Sequence, residues 1–175
     1  MKVKVLAENT ALNGSFVFEH GLSLYIETKQ HRILVDMGQT NLFKKNAELL
    51  GVDLSKVDIA VLSHGHYDHS GGLKRFLEIN SIAKVYLSEF AFEQHYRGID
   101  VYIGMDQSLV GCDRFVFVDD FIEIDSELSI YSCNERETVT PIDSAGLTLF
   151  EDGSYKEEDF RHEHYLVINE KEKRQ

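Results

Sequence analysis

The sequence is poor in cysteine and has no long apolar run, and both features narrow the class of protein. Its two cysteines, Cys112 and Cys133, lie far apart and form no CxxC pair. Reduced thiols in a cytoplasmic protein are therefore the simplest interpretation, although a disulfide between the two stays open. No apolar stretch approaches the roughly 20 residues of a membrane-spanning helix, and no apolar secretory segment follows Met1. We therefore expect a cytoplasmic protein without a membrane partner.

Basic residues are also scarce in this chain. Eighteen Lys and Arg stand against 30 Asp and Glu, which gives a formal net charge of −12. A nucleic-acid or anionic-membrane surface requires clustered Lys and Arg, so the charge argues against both partners. A small anionic substrate remains compatible, because a bound divalent cation would reverse the local field. We expect a small-molecule substrate and no nucleic-acid partner.

The organisation of the chain indicates a single α/β domain over residues 1–175. The chain contains one proline, and no repeat, low-complexity segment or linker divides it. Its length suffices for one core, and strand-like segments alternate with helical ones, as in layered α/β domains. The pattern predicts helices over Thr40–Leu50, Leu73–Ile79 and Glu89–Tyr96. The apolar run Val57–Leu62 predicts a strand that is buried on both faces.

The most informative stretch is Val57–Leu73, with the sequence VDIAVLSHGHYDHSGGL. Four side chains that can bind a metal follow its apolar half within six residues: His64, His66, Asp68 and His69. Residues two apart in an extended segment point to the same side, and Gly65 leaves the backbone free to turn, so His64 and His66 can converge. The adjacent Asp68 and His69 diverge, which suits two neighbouring sites. Imidazole with carboxylate favours zinc, with manganese or iron as alternatives. The competing interpretation is a surface loop that is rich in histidine.

Two further positions are candidates outside this loop. Asp36 ends a strand and is followed by Met37-Gly38, a pattern typical of a turn. The alternative is an acceptor that orients a metal-binding histidine, and the spacing alone favours the turn. His20 lies in a loop before a strand and is a candidate for the substrate pocket, with a surface or capping role as the alternative.

The remaining histidines and acidic residues have less specific interpretations. The pattern favours a surface or partly buried position for His95 on a helix. His162 and His164 could bind a metal or phosphate, but a solvated approach to a strand fits equally well. The acidic run Glu157–Asp159 is most simply a solvated face.

Several segments together resemble the metallo-β-lactamase superfamily. The resemblance rests on the four-ligand loop with Ser63 before it and Gly71-Gly72 after it, and on the preceding ILVDMG. The segments EHGLSLYIET, DMGQT and DFRHEHYLVI are similar to the branch of dihydropterin ribofuranosyl-aminobenzene phosphate synthase-like hydrolases. The resemblance covers almost the whole chain.

The resemblance implies an αβ/βα sandwich with a site for two metal ions between its sheets. It implies that His64 and His66 bind the first ion and that Asp68 and His69 bind the second. Asp68 would be the catalytic residue beside the attacking water, and Asp36 would orient a ligand rather than serve a turn. The implied activity is metal-dependent hydrolysis, by a metal-activated water, of a small polar substrate, with phosphate-containing compounds among the candidates.

The later metal ligands of the family have no counterpart in this chain. After His69 the sequence offers three histidines, none of which follows an apolar strand with a Gly-rich turn: His95, His162 and His164. We therefore expect only the N-terminal part of the sandwich, with an apolar sheet face that a second copy or another chain covers. The alternative function is a catalytically inactive, truncated domain that acts as an interaction or remnant module.

Overall fold

The computed structural model describes residues 1–132 and 144–170. Cys112 is a free cysteine, which agrees with the reduced-thiol interpretation and not with a disulfide, and Cys133 lies outside the described residues. The strands of the described residues are, in chain order, β1 (Lys2–Ala7), β2 (Ser23–Glu27), β3 (Arg32–Val35), β4 (Ile59–Val61), β5 (Lys84–Ser88), β6 (Gln94–Arg97), β7 (Val101–Tyr102), β8 (Phe115–Val118), β9 (Phe121–Glu123), β10 (Leu128–Tyr131), β11 (Leu147–Glu151), β12 (Ser154–Glu157) and β13 (Tyr165–Ile168). The α-helices are α1 (Leu42–Leu49), α2 (Tyr67–Ser70) and α3 (Leu73–Ile79), and short 3-10 turns lie at Leu54–Lys56 and Gln107–Leu109.

The largest sheet has six strands in the order β1-β2-β3-β4-β5-β8. The pairs β1–β2 and β2–β3 are antiparallel, whereas the pairs from β3 through β4 and β5 to β8 are parallel. A three-stranded sheet, β13-β10-β9, and a four-stranded sheet, β12-β11-β6-β7, are both antiparallel. The parallel centre of the large sheet places the ends of β3 and β4 at one edge.

Apolar side chains cover the large sheet on both faces. One cluster joins the sheet to α1 and α3 through Phe43 and Phe76, which are fully buried. The other joins Ile33 and Ile59 of the same sheet to Ile130 of β10. All three residues of β4 are buried, as the apolar run predicted. The result is a helix, sheet and sheet layering, which confirms the predicted α/β class.

The helix predictions were right in two segments and wrong in a third. Helix α3 has the predicted bounds, and α1 lies within Thr40–Leu50. The predicted helix over Glu89–Tyr96 is instead a turn followed by β6, which pairs antiparallel with β11. The Ser88 hydroxyl accepts the Phe90 amide in that turn, at 3.1 Å. Pairing with a distant strand overrides the local pattern here, and it carries His95 into the interior.

Candidate metal centre

The ligand loop begins where β4 ends and closes on the one-turn helix α2. His66 occupies the position before α2, and its carbonyl accepts the Ser70 hydroxyl at 2.9 Å. His64 therefore projects from the irregular segment between β4 and α2, whereas Asp68 and His69 project from a helical turn. Gly65 has no positive φ, so freedom to turn is not the reason for glycine at this position. A Cβ at Gly65 would instead lie 2.2 Å from the Ala91 carbonyl oxygen, so glycine permits close approach of two backbones.

The structure brings the four loop side chains together. Ligand atoms of His64, His66 and Asp68 all lie within 4.8 Å of one another. His69 Nε2 lies 3.5 Å from Asp68 Oδ2. Two ligands of one tetrahedral zinc ion, with bonds of about 2.0–2.1 Å, stand roughly 3.3 Å apart. The spacing of Asp68 and His69 therefore fits a shared ion.

Asp36 organises this loop from the end of β3. Its side chain is fully buried, and Oδ1 accepts the Ser63 amide at 2.8 Å. Oδ2 accepts the Ser63 hydroxyl at 2.7 Å and lies 2.7 Å from His69 Nδ1. Asp36 also has a φ of +55°, a left-handed conformation that aspartate tolerates better than most residues. It therefore makes the turn that the spacing favoured and also contacts His69 Nδ1, while its role in orienting a metal ligand stays a prediction.

The hydrogen bonds around Ser63 define which nitrogens face the site. Because the Ser63 hydroxyl donates to Asp36, its oxygen accepts from His64 Nδ1, which lies 2.9 Å away. His64 and His69 thus both carry their proton on Nδ1 and present Nε2 to the site. Burial, together with the neighbouring rings of His69 and His66, lowers the pKa of His64 far below its ordinary value. Burial on its own lowers the pKa of His69, but the bond to Asp36 raises it overall.

His20 lies at the outer edge of the same loop. Its side chain is 69% exposed, and its Nε2 lies 3.4 Å from Asp68 Oδ2. With Glu8, Asn9 and His69 it lines a shallow pocket against the ligand loop. Gly21 has a φ of +128°, and a Cβ there would lie 2.0 Å from the Asp68 carbonyl oxygen. The structure thus places His20 beside the candidate site, and its role in a substrate pocket stays a prediction.

A second, buried group of titratable residues lies directly behind the loop, and sequence reasoning missed it. Its four members have ligand atoms within 4.8 Å of one another: His66, His95, Glu158 and His162. The predicted surface or partly buried position of His95 was wrong, since this residue is fully buried. The predicted solvated face at Glu157–Asp159 was wrong for Glu158, which is 3% exposed. His162 and His164 are buried as well, so the solvated interpretation fails for both.

Tertiary pairing explains why these residues are buried. His95 lies opposite Leu149 in the β6–β11 pair, which joins segments some fifty residues apart. Phe160 has a φ of +56°, and this bend lies between the end of β12 and His162. The His164 amide donates to the Ser63 carbonyl at 2.6 Å and fastens the segment to the ligand loop. The alternating histidines at 162 and 164 were the one local signal.

Electrostatics keep this buried group anionic at Glu158 and neutral at His162. Burial on its own raises the pKa of Glu158, but the facing rings of His66 and His95 hold it well below its ordinary value. Burial and the nearby rings of His95 and His66 lower the pKa of His162 to about 2. A buried charge without N–H donors is costly, so these rings must supply them.

Comparison with known proteins agrees with the fold and with the loop. The family model for the metallo-beta-lactamase superfamily matches residues 17–165. The chain belongs to the metallo-beta-lactamase superfamily. It superposes on the crystal structure of Tm1679, a metal-dependent hydrolase of the beta-lactamase superfamily, with a TM-score of 0.72 and 28% identity, over 95% of this chain and 60% of that one. The predicted metallo-β-lactamase-like fold is thereby confirmed.

Two curated proteins of Methanocaldococcus jannaschii are also similar. An uncharacterized protein is 40% identical over 108 residues, which are 61% of this chain and 41% of the relative. The 7,8-dihydropterin-6-methyl-4-(beta-D-ribofuranosyl)-aminobenzene-5'-phosphate synthase is 40% identical over 81 residues, which are 42% of this chain and 27% of the relative. The chain therefore spans less than half the length of the curated relatives it matches. The resemblance to the synthase branch is confirmed as a similarity.

The predicted location is addressed only in part by the structure. Among the residues that the structure describes, no helix is long and apolar enough to cross a membrane. The cytoplasmic location stays a prediction.

Proposed function

We propose that this chain takes part in metal-dependent hydrolysis at the loop that carries its four clustered ligands, acting on a small polar substrate. The observation that carries the proposal is the convergence of that loop on one point, with Asp36 behind it. Asp36 and Ser63 hold the protons of His69 and His64 on Nδ1, so Nε2 of each ring is left for a metal. Neutral imidazoles with a carboxylate are a donor set that fits a divalent cation.

Zinc is the preferred ion, with manganese and iron as alternatives, and the superfamily pattern suggests a pair of ions. His64 and His66 would hold the first, and Asp68 and His69 the second. A divalent ion held there would supply Lewis acidity, which polarises a phosphoryl or carbonyl oxygen and lowers the pKa of water. Asp68 Oδ2 faces both His69 Nε2 and His20 Nε2, at 3.5 and 3.4 Å. Asp68 is thus suited to accept a proton between the ligand set and the pocket.

A phosphate-containing substrate is the class that the pocket supports best. The exposed His20 can donate to a phosphate oxygen at the rim of the pocket. The amide of Asn9 and the carboxylate of Glu8 can contact hydroxyl groups of the substrate. One similar protein is named as the synthase of a 5'-phosphate compound, which supports this class for the present chain. The chain as a whole is acidic, so the attraction for an anion would come from the bound cation.

We also propose that a second copy or another chain covers the outer face of the β13-β10-β9 sheet. Phe121 and Tyr165 stand in one cross-strand row with Tyr131, and each is 51% exposed. Val167, two residues along β13, lies on the same face and is 46% exposed. Contiguous apolar side chains of this kind mark association surfaces. The same face favours the second candidate function, an interaction module without catalysis.

Turnover of bis(p-nitrophenyl) phosphate by the zinc- or manganese-loaded chain tests the hydrolase. Asp68→Ala should lower the rate by about 100-fold or more, as expected for loss of a group that moves a proton. Asp100→Ala is the matched control, because Asp100 is exposed and distant from the loop in sequence. Equal turnover in Asp68→Ala and Asp100→Ala, or none in the loaded wild-type chain with intact self-association, would favour the interaction module.

A further inference from the structure

The buried carboxylate of Glu158 requires N–H donors, and among the residues that the structure describes these are histidine rings and one backbone amide. Its side chain is fully buried, and within the described part of the chain each of its ion-pair partners is a histidine. Oε1 accepts the Phe160 amide at 3.1 Å. An ionised carboxylate can only accept hydrogen bonds, so every ring nitrogen that faces it must carry a proton. The proton positions of the surrounding rings can therefore be deduced.

The first ring is fixed by the backbone of the ligand loop. The Gly65 amide donates to His162 Nδ1 at 3.0 Å. Since an amide can only donate, Nδ1 holds a lone pair, and the neutral ring carries its proton on Nε2. That Nε2 lies 3.9 Å from Glu158 Oε1. His162 thus binds the loop between two metal-ligand candidates and directs its N–H at the carboxylate.

The second ring donates directly to the carboxylate. His95 Nδ1 lies 2.6 Å from Glu158 Oε2, a charge-assisted hydrogen bond. The His95 and His162 rings are stacked, with centroids 4.1 Å apart. This stack closes one side of the buried group and leaves His66 facing the same carboxylate from the loop.

We propose that Glu158 is a positioning residue that holds the proton of His66 on Nε2, so that the lone pair on Nδ1 faces the metal-binding loop. His66 Nε2 lies 3.8 Å from Glu158 Oε2, and its side chain is only 7% exposed. A lone pair at Nε2 would face a buried anion and be repelled, whereas an N–H is attracted. The inference rests on the proposed function for the ligand role of His66. This role explains why the Glu158 carboxylate is buried behind the ligand loop. The carboxylate fixes the proton position of the His66 ring, for which the loop itself supplies no hydrogen bond among the described residues.

A metal ion inside the buried group is the competing explanation, and one distance and one proton position argue against it. The 2.6 Å between His95 Nδ1 and Glu158 Oε2 is shorter than the roughly 3.3 Å between two ligands of one tetrahedral ion. The proton that Gly65 forces onto His162 Nε2 also occupies the electron pair that an ion would need. Of the described residues, Nε2 of His66, His95 and His162 has no hydrogen-bond partner at ordinary distance. Two of these, in His66 and His162, are the N–H groups directed at Glu158.

Nuclear magnetic resonance of the full, metal-free chain with isotopically labelled histidine tests this directly. Long-range proton–nitrogen correlations should show the proton on Nε2 of His66 and His162, and on Nδ1 of His95. A proton on Nδ1 of His66 in the wild-type chain would overturn the inference. This measurement requires no variant, so it remains decisive if the variants fold poorly or if the chain binds no zinc. Absence of zinc binding would count against the proposed function alone.

Zinc affinity and stoichiometry then separate positioning from ligation. Glu158→Gln should weaken zinc binding by about 10- to 100-fold, the usual effect of losing a residue that orients a ligand, with unchanged stoichiometry at saturation. Glu157→Gln is the matched control, since Glu157 is the adjacent, exposed carboxylate. Unchanged affinity in Glu158→Gln contradicts the inference. Loss of one zinc equivalent at saturation in His95→Ala also contradicts it, because that result would place an ion in the buried group.

Discussion

The Asp36 carboxylate lies 2.7 Å from His69 Nδ1 and joins the end of β3 to the helical turn of the ligand loop. The same carboxylate accepts both the amide and the hydroxyl of Ser63, so one side chain fixes the loop at its beginning and its end. Asp36 also has a left-handed backbone conformation at the end of a buried strand, and such uncommon conformations are often found at functional sites.

Replacement of Asp36 by Asn should weaken metal binding without abolishing it. Asn has one acceptor oxygen in place of two, so either the Ser63 amide loses its acceptor, or the Ser63 hydroxyl and His69 Nδ1 both lose theirs. We expect zinc affinity to fall by about 10- to 100-fold and stability by about 1–3 kcal/mol for a buried group left unsatisfied. Titration calorimetry and thermal unfolding would measure the two effects. Asp100→Asn is the control, and equal affinity in both variants would show that Asp36 does not orient the ligand.

Replacement of Gly65 by Ala should disturb the loop by steric contact. The new Cβ would lie 2.2 Å from the Ala91 carbonyl oxygen, so one backbone must move. We expect a loss of about 1–3 kcal/mol in the free energy of unfolding, as in other overpacked sites, with weaker zinc binding. Gly14→Ala is the matched control, because nothing lies within 4 Å of a Cβ at that position. Denaturant unfolding that shows equal stability for the two variants would contradict the close approach.

The ion-paired His31 should make stability depend on pH far from the ligand loop. His31 Nδ1 lies 3.1 Å from Asp58 Oδ2, and His31 Nε2 lies 2.6 Å from Asp125 Oδ2. Burial alone lowers the pKa of His31, but the bonds to Asp125 and Asp58 raise it overall. Because the folded-state pKa lies above the unfolded value of about 6.5, the contribution is complete below that pH and is lost as pH rises through the folded-state pKa.

His31→Gln should therefore cost most below about pH 6.5 and progressively less at higher pH. Partly exposed ion pairs of this kind contribute up to about 1 kcal/mol. Unfolding midpoints of wild-type and variant chains between pH 5 and 9 would measure the difference (about one point per half unit of pH suffices). A difference that stays constant across this range, or grows with pH, would refute the assigned direction.

The outer face of the three-stranded sheet should mediate association. Phe121→Ser should shift the chain toward the monomer in light scattering after size-exclusion chromatography. Val110→Ser is the control, because Val110 is 61% exposed and lies outside that sheet. A wild-type chain that is a stable monomer at high concentration, with no partner, would contradict the proposed cover.

Sequence alone predicted the parts of the site that are local in the chain. The four loop ligands lie within six residues, so their proximity needs no knowledge of the fold. The turn at Asp36 was predicted from its position at a strand end, but its bond to His69 depends on the parallel pairing of β3 and β4. The bounds of α3 followed from helical spacing, since that helix packs by one apolar stripe.

The buried group behind the loop could not be predicted in this way. His95 belongs to it only because β6 pairs with β11, and no local pattern encodes that pairing. Glu158 lies between two acidic, exposed neighbours, so composition indicated a solvated run. A positive φ at Phe160 turns the chain inward at that point, and non-glycine residues seldom adopt this conformation. The buried group therefore depends on long-range strand pairing and on an uncommon backbone angle, neither of which a local sequence pattern predicts.

The most direct test of the account is zinc binding by the wild-type chain and by His64→Ala, measured by titration calorimetry with elemental analysis of the dialysed protein. We expect the wild-type chain to retain at least one zinc per chain and His64→Ala to lose it, while Asp100→Ala behaves as wild type. Retention of the same zinc content by His64→Ala, or no zinc binding by the wild-type chain, would contradict the assignment of the loop as a metal centre.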